Sequence, residues 1–269
     1  VKPYPEVPAG LIVEHVGPVL RICLDRPDRR NAITDPMVYA LLDTVDAAAS
    51  DESVRVIHLE GSGDHFSSGF DLSQRTPGPD RPRVGSVHRR MNGHVNRLIP
   101  AMLTCQTPIV CTARGWIIGL GLDLLLACDF AVVADDARLW APFTTFGFTP
   151  DSGATWLVPR LAGVARARDM LILGTKVSGA EAASWGLVHR SVPASDLTGA
   201  GDELIARLAT GPTVALGLTK LLLHRALTSE IASHLADEAW SMEVSSRSED
   251  FKEYGNATRE KREPRFSGQ

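Results

Sequence analysis

Cysteine is scarce in this sequence. The 269-residue chain has four (Cys23, Cys105, Cys111 and Cys128), all in apolar stretches and none spaced as CxxC. That excludes a disulfide scaffold and reads as reduced core thiols of a cytosolic, cytoplasmic protein. No apolar run reaches the roughly 18 residues that a spanning helix requires, so no membrane association is expected. Neither sign of charge dominates: 28 Lys and Arg face 32 Asp and Glu, a formal charge of −4. Nothing global therefore attracts nucleic acid or an anionic lipid surface. Val1 to Gly10, with three prolines and two charges, reads as neither a signal nor a transit peptide. The sequence also lacks a P-loop, a dinucleotide-binding glycine fingerprint and a G-x-S-x-G turn. Its eight histidines show no HxxxH or HExxH spacing, so no metal site is expected.

What is present alternates. Leu11 to Glu14 and Val19 to Asp25 are β-rich runs separated by Gly17-Pro18, a hairpin signal. Thr34-Asp35-Pro36 caps a helix running to about Ser50, with Val38, Leu41, Leu42 and Val45 on one face. Val54 to Glu60, Pro108 to Ala113, Phe130 to Ala134 and Arg138 to Trp140 read as strands. Leu120 to Cys128 is apolar nearly all round, and a helix with no polar face must lie inside the protein. From Ser152 onward the chain reads as mostly helical, with one strand at Leu187 to Val192 and helices near 196–210, 213–227, 229–246 and 249–259. Thr76 to Arg83 reads as a mobile loop between site elements. Strands with interleaved helices, followed by a helical tail, specify an α/β core with a helical C-terminal layer.

Two glycine-containing turns follow strands: Gly61-Ser62-Gly63 through Ser68-Gly69-Phe70-Asp71-Leu72, and Gly115-Trp116-Ile117-Ile118-Gly119-Leu120-Gly121. Turns of this kind let backbone approach a ligand, and two of them aiming N–H groups at one point form an oxyanion hole. Each is equally a tight connection when taken by itself. Three carboxylates are candidates to join them. Asp123 lies on the first turn of the apolar helix, Asp151 in Thr149-Pro150-Asp151-Ser152-Gly153 before a helical run, and Asp129 after Cys128. Taken singly, Asp123 reads as a cap or core polar residue, Asp151 as an N-cap and Asp129 as structural. A carboxylate that moves protons needs its pKa raised by desolvation or by a like charge. Trp116, Leu120, Phe143, Phe146 and Phe148 could provide such surroundings.

The combination resembles a known family. Leu24-Asp25-Arg26-Pro27-Asp28-Arg29-Arg30-Asn31-Ala32-Ile33 is similar to the first signature of the crotonase, or enoyl-CoA hydratase/isomerase, superfamily. Val54 to Leu72 resembles its first strand and oxyanion turn, and Gly115 to Asp129 its second turn and helix, ending in Ala127-Cys128-Asp129. Pro150-Asp151-Ser152-Gly153 with Trp156, Pro159-Arg160-Leu161, Ala180-Glu181-Ala182, Trp185-Gly186-Leu187-Val188 and Glu260-Lys261-Arg262 follow in the same order.

The resemblance implies a crotonase-like spiral of ββα units over 1–195 carrying an acyl-CoA site, and a helical oligomerisation region over 196–269. It implies a homotrimer or dimer of trimers, an acyl thioester of coenzyme A as substrate, and no separate cofactor. The backbone N–H groups of Phe70 and Leu120 would form the oxyanion hole. The CoA moiety would run past Ala32, Ser68, Asp71 and Leu72, and Lys261, from a neighbouring subunit or its own, would meet its phosphates. Trp116 and Phe143 would line the acyl pocket. Hydratases of the family carry glutamate at the positions of Asp123 and Phe143, and glycine where this chain has Asp151. Isomerases of the family carry aspartate at the last position. The reading is therefore double-bond migration with Asp151 as principal base and acid and Asp123 as its partner. Hydration by way of Asp123, or a non-catalytic acyl-CoA-binding homologue, are the alternatives.

Overall fold

The computed structural model describes residues 4, 6–74 and 83–269. The strands are β1 (Leu11–Val16), β2 (Val19–Leu24), β3 (Val56–Gly61), β4 (Ile109–Ala113), β5 (Trp116–Ile118), β6 (Phe130–Ala134), β7 (Arg138–Trp140), β8 (Val177–Ser178) and β9 (Arg190–Val192). The helices are α1 (Asp35–Ala48), α2 (Ser86–Arg90), α3 (Asn96–Thr104), α4 (Leu120–Leu126), α5 (Ala154–Leu171), α6 (Gly179–Ser184), α7 (Leu197–Ala209), α8 (Thr213–Ala226), α9 (Ile231–Ser245) and α10 (Glu249–Glu260).

A six-stranded sheet in the order β1-β2-β3-β4-β6-β9 carries the fold. β1 and β2 form the antiparallel hairpin expected at Gly17-Pro18, with Val16 opposite Val19, and every later pairing in this sheet is parallel. Parallel strands are covered on both faces and so carry apolar residues on both. Ile57 and Cys111 join the core that α1, α3 and α4 cover, while Val56 and Val110 point the other way onto Ile205, Leu208 and Ala209 of α7. The first helix of the C-terminal layer is thus a wall of the sheet, not an appendage to it.

Each turn of the chain repeats one pattern: a strand in the large sheet, a short strand in a second layer, then a helix. The second layer contains β5 paired in parallel with β7, and β7 antiparallel to β8. Single parallel bridges, Ser67 to Ile117 and Ile33 to Phe70, extend it through two earlier turns. This stacking places the loop after each short strand beside the loop of the next turn, and the candidate site is built from those loops.

Local sequence explains the individual helices. The Thr34 hydroxyl accepts a bond from the Met37 amide at the start of α1, and Pro36 stands in its first turn, where its missing N–H is no loss. All seven residues of α4 are buried, Asp123 among them. α6 begins with a capping box between Ser178 and Glu181. α9 is different: its fifteen residues bury only Ser241.

Several elements differ from expectation. Ser86 to Thr104 is helical, with a π-helical stretch at Met91–Val95 between α2 and α3. Proline inside the last segment, at Pro100, and mixed polarity before it hide the period. β8 has only two residues, too few for a periodic signal, and the strand expected at Leu187 to Val192 is confined to β9. α5 is interrupted at Gly163, whose φ of +80° and ψ of 161° are not helical. Of the loop expected at Thr76 to Arg83, all but Arg83 lies outside the described residues. Among the described residues no helix is long and apolar enough to cross a membrane.

Candidate active site

The second layer sets the directions of two backbone amides. Ile33 N donates to Gly69 O and Asp71 N donates to Ile33 O, both at 2.8 Å. That pattern turns the N–H and C=O of Phe70, which lies between them, to the opposite side, toward the next turn of the spiral. There Ser67 N donates to Trp116 O and Ile118 N to Ser67 O, each at 3.0 Å, and Gly119 N donates to Trp140 O at 3.1 Å. The chain then enters α4 at Leu120, whose amide belongs to the first turn and has no acceptor within the helix.

Glycine is required at two points of this junction. Gly69 has φ +86°, and a Cβ on it would lie 2.7 Å from Ile118 O and 3.6 Å from Leu120 N. Gly119 has φ +51° and ψ −122°, a region that side chains disfavour, with open space around it. One glycine is thus demanded by contact and the other by dihedral angle alone. Together they draw the Phe70 and Leu120 backbones to one place.

Buried polar groups hold the first loop. Asn31, fully enclosed, donates to Ser62 O and His65 O at 2.9 and 2.7 Å and accepts from Arg26 N at 2.8 Å. The Arg26 guanidinium donates to Ala32 O at 2.6 Å and to Asp71 Oδ2 at 2.9 Å. Asp71 also accepts from the Ser73 hydroxyl at 2.6 Å, and that bond, with Arg26, holds its carboxyl below the usual range. Ala32 and Asp71 therefore fasten the loop, whereas Ser68 and Leu72 stand on the wall of the adjoining cleft.

This cleft, about 590 Å³ and open to solvent, has Phe70 and Leu120 on one side. Met91 and Val95 of the π-helical segment cover it, and Pro142, Phe143, Phe146 and Phe148 form an aromatic wall. Phe143 and Phe148 meet edge to face at 5.8 Å, and Phe148 and Phe146 stack at 6.4 Å. Met91 and Val95 carry no chemical signature in the sequence. Their four-residue spacing, continued by Ile99, was the one available sign of a buried helical face.

Asp151 and Ser152 complete the lining of the cleft. The Asp151 backbone oxygen accepts from Ala154 N at 3.1 Å, so its side chain is not the N-cap of α5; that position belongs to Gly153. Ser152 is buried at φ +53°, and its hydroxyl donates to Asp151 Oδ1 at 3.0 Å. Asp123 lies behind the cleft wall on α4, fully enclosed, and neither carboxyl oxygen has a hydrogen-bond partner. Burial first, and the charge of Asp151 second, push its pKa well above the ordinary value. Desolvation of that kind favours the uncharged form of a carboxyl. Asp129 has the structural place expected of it: Lys220 Nζ lies 2.7 Å from its Oδ2, and Ile109 N donates to the same oxygen at 2.7 Å.

Two other sequence candidates stand apart from the cleft of this chain. The Trp116 ring lies 6.4 Å from Trp140, with Arg138 over its face at 5.2 Å, and is not part of the lining. Lys261 is exposed in left-handed conformation at the end of α10, next to Arg262, which pairs with Glu253 and Glu260. Among the described residues no group of His, Cys, Asp and Glu is arranged to hold a metal ion.

Comparison with known proteins agrees with this architecture. Residues 14–269 match the family model described as enoyl-CoA hydratase/isomerase. A 1,2-epoxyphenylacetyl-CoA isomerase of Escherichia coli is 34% identical over 261 residues, covering 96% of this chain and 98% of the relative. A probable enoyl-CoA hydratase of Rhodobacter capsulatus is 34% identical, covering 92% and 93%. The crystal structure of a putative enoyl-CoA hydratase from Streptomyces coelicolor superposes with a TM-score of 0.91 at 31% identity, over 100% of this chain and 98% of that one. The spiral is therefore the crotonase fold, and the chain belongs to the enoyl-CoA hydratase/isomerase family.

Proposed function

We propose that this protein binds an acyl thioester of coenzyme A and moves a double bond along its acyl group by proton transfer. The thioester oxygen accepts hydrogen bonds from the backbone N–H groups of Phe70 and Leu120. Fixed donors aimed at developing charge stabilise the enolate, and each such donor is worth roughly 3 kcal/mol in the transition state. That stabilisation makes the α-carbon proton removable. Asp151 takes a proton from one carbon of the acyl group and returns it to another. Asp123, enclosed behind the wall and absent from the cleft lining, is not the base. It acts on Asp151 as an electrostatic neighbour. Phe143, an apolar residue at a hydratase glutamate position, transfers no proton, which weighs against addition of water. The CoA part runs from Ser68 and Leu72 past the Arg26-fastened loop of Ala32 and Asp71.

The single observation that carries this reading is that Asp151 shares one cleft with Phe70 and Leu120. The exposed apolar residues of the C-terminal layer, among them Leu223, Ile231, Leu235 and Trp240, support a homotrimer or dimer of trimers. Lys261, exposed at the end of α10, is assigned to the CoA phosphates within that assembly.

The test is α-proton exchange of a bound acyl-CoA in deuterated water. Asp151→Asn should slow exchange by about 10²–10⁴-fold with little change in CoA affinity. Full exchange in that variant would falsify the assignment. Rapid hydration of crotonyl-CoA that depends on Asp123 would establish the hydratase alternative instead.

A further inference from the structure

We infer that the acyl group accepted by this cleft carries a six-membered carbocycle, aromatic or partly reduced, rather than a long straight chain. The inference rests on the acyl-CoA reading of the site and deepens it.

Ring chemistry dominates the acyl side of the cleft. Phe143 is 4% exposed and fixed edge-on against Phe148, with the two planes at 84°. Phe148 and Phe146 remain 38% and 55% exposed, lie at 25° to one another, and both line the cleft. Aromatic rings prefer offset-stacked or edge-to-face neighbours, and two half-exposed rings beside an open cleft present faces for a third. A flat ring can occupy that place without losing rotamer freedom, which a flexible chain would lose on ordering.

The shape of the cleft points the same way. Asp151 and Ser152 line it, and the next residue of that turn, Gly153, is seated against α3 and α5. A Cβ at that position would already touch Ile99 at 3.5 Å and Leu157 at 3.6 Å. A second apolar hollow lies beyond, between Ile99, Pro100, Leu103, Trp156 and His224. Ser152 lines both hollows, so the packed turn adjoins each of them. Polarity narrows the class further. The polar side chains on the described wall are Ser68, Asp151 and Ser152, and none is cationic. An acyl group bearing a second carboxylate would find no counter-charge there.

Calorimetric titration of the wild-type protein with phenylacetyl-CoA, octanoyl-CoA and acetyl-CoA tests the inference. The first two carry acyl groups of equal carbon number and differ in ring against chain. Phenylacetyl-CoA should bind about tenfold more tightly than octanoyl-CoA, and Phe148→Leu should bring the two toward equality. Octanoyl-CoA binding as well as or better than phenylacetyl-CoA, with normal acetyl-CoA binding, overturns the ring inference alone. A ratio that Phe148→Leu leaves unchanged also overturns it. Failure of every thioester, acetyl-CoA included, removes the acyl-CoA reading and the inference with it. Should Phe148→Leu not fold, the wild-type ratio decides.

Discussion

Asp123 and Asp129 stand six residues apart at the two ends of one buried helix region, and both are held above the ordinary carboxylate pKa by burial. Their surroundings are otherwise opposite. Asp129 faces the Lys220 ammonium and the Ile109 amide, both within 2.7 Å, which draw its pKa back down. Asp123 has no partner for either oxygen and the negative charge of Asp151 beside it. A carboxylate with a counter-ion and a hydrogen bond ties secondary structure together, here α8 to the neighbouring ends of β4 and β6. A buried carboxyl with neither is a local instability, of the kind that clusters at functional sites. The same residue type in one stretch of chain is thus paired at one position and unpaired at the other, next to the proposed base.

The largest effect should come from breaking the paired end. Lys220→Met removes the counter-ion of Asp129, whose side chain is partly exposed, and a loss of about 1–3 kcal/mol in unfolding free energy is expected, measured by urea denaturation. A loss below 1 kcal/mol would mean that Asp129 is solvated and that the contrast is weaker than drawn. Next is the orphan end, where the sign reverses. Asp123→Ala should stabilise the fold by about 1 kcal/mol at neutral pH by removing unsatisfied oxygens while slowing catalysis.

The two ends also differ in pH dependence. Asp123 holds its proton more tightly folded than unfolded, so its contribution is complete below the ordinary carboxylate pKa. It is lost as pH rises from there toward the elevated folded value. Asp123→Ala should remove that decline, visible as a stability advantage over wild type that grows with pH. A constant difference would show that the carboxyl ionises normally.

Smaller again is Ser152. Replacing it with Ala deletes the bond to Asp151 and should slow α-proton exchange by about tenfold. Ser152→Gly should lose the same activity while relaxing the φ of +53°, so its Tm should not fall. At the bottom of the series, Arg262→Ala removes an exposed pair with Glu253 and Glu260, and no measurable change in Tm is expected.

Much of this arrangement was legible in the sequence because it rests on patterns that local chemistry imposes. A helix apolar on every side had to be interior, and α4 is. Glycines at 69 and 119 announced turns that side chains resist. The Thr34-Asp35-Pro36 cap marked the start of α1 within a residue. Distances between turns of the spiral leave no such trace. Met91 and Val95 enter the cleft from a segment whose proline and polar residues disguise its helix. Trp116 shares the parity of Ile118 on β5, yet Ile118 lines the cleft while Trp116 stands with Trp140, Arg138 and Lys176. Alternation gives the face of a strand, and only packing gives the neighbour. For Asp151 the sequence suggested an N-cap, but the Ala154 amide bonds the backbone oxygen, and the residue lines the cleft.

The most direct measurement concerns the Phe70 and Leu120 amides. Isotope-edited infrared spectroscopy of an acyl-CoA labelled with ¹³C at the thioester carbonyl reads the polarisation of that bond in the complex. The carbonyl stretch should move to markedly lower frequency than for the same thioester in water, and the shift should persist in Asp151→Asn, where exchange is lost. A carbonyl band at its aqueous position in the wild-type complex would contradict the placement of the thioester oxygen between those two amides.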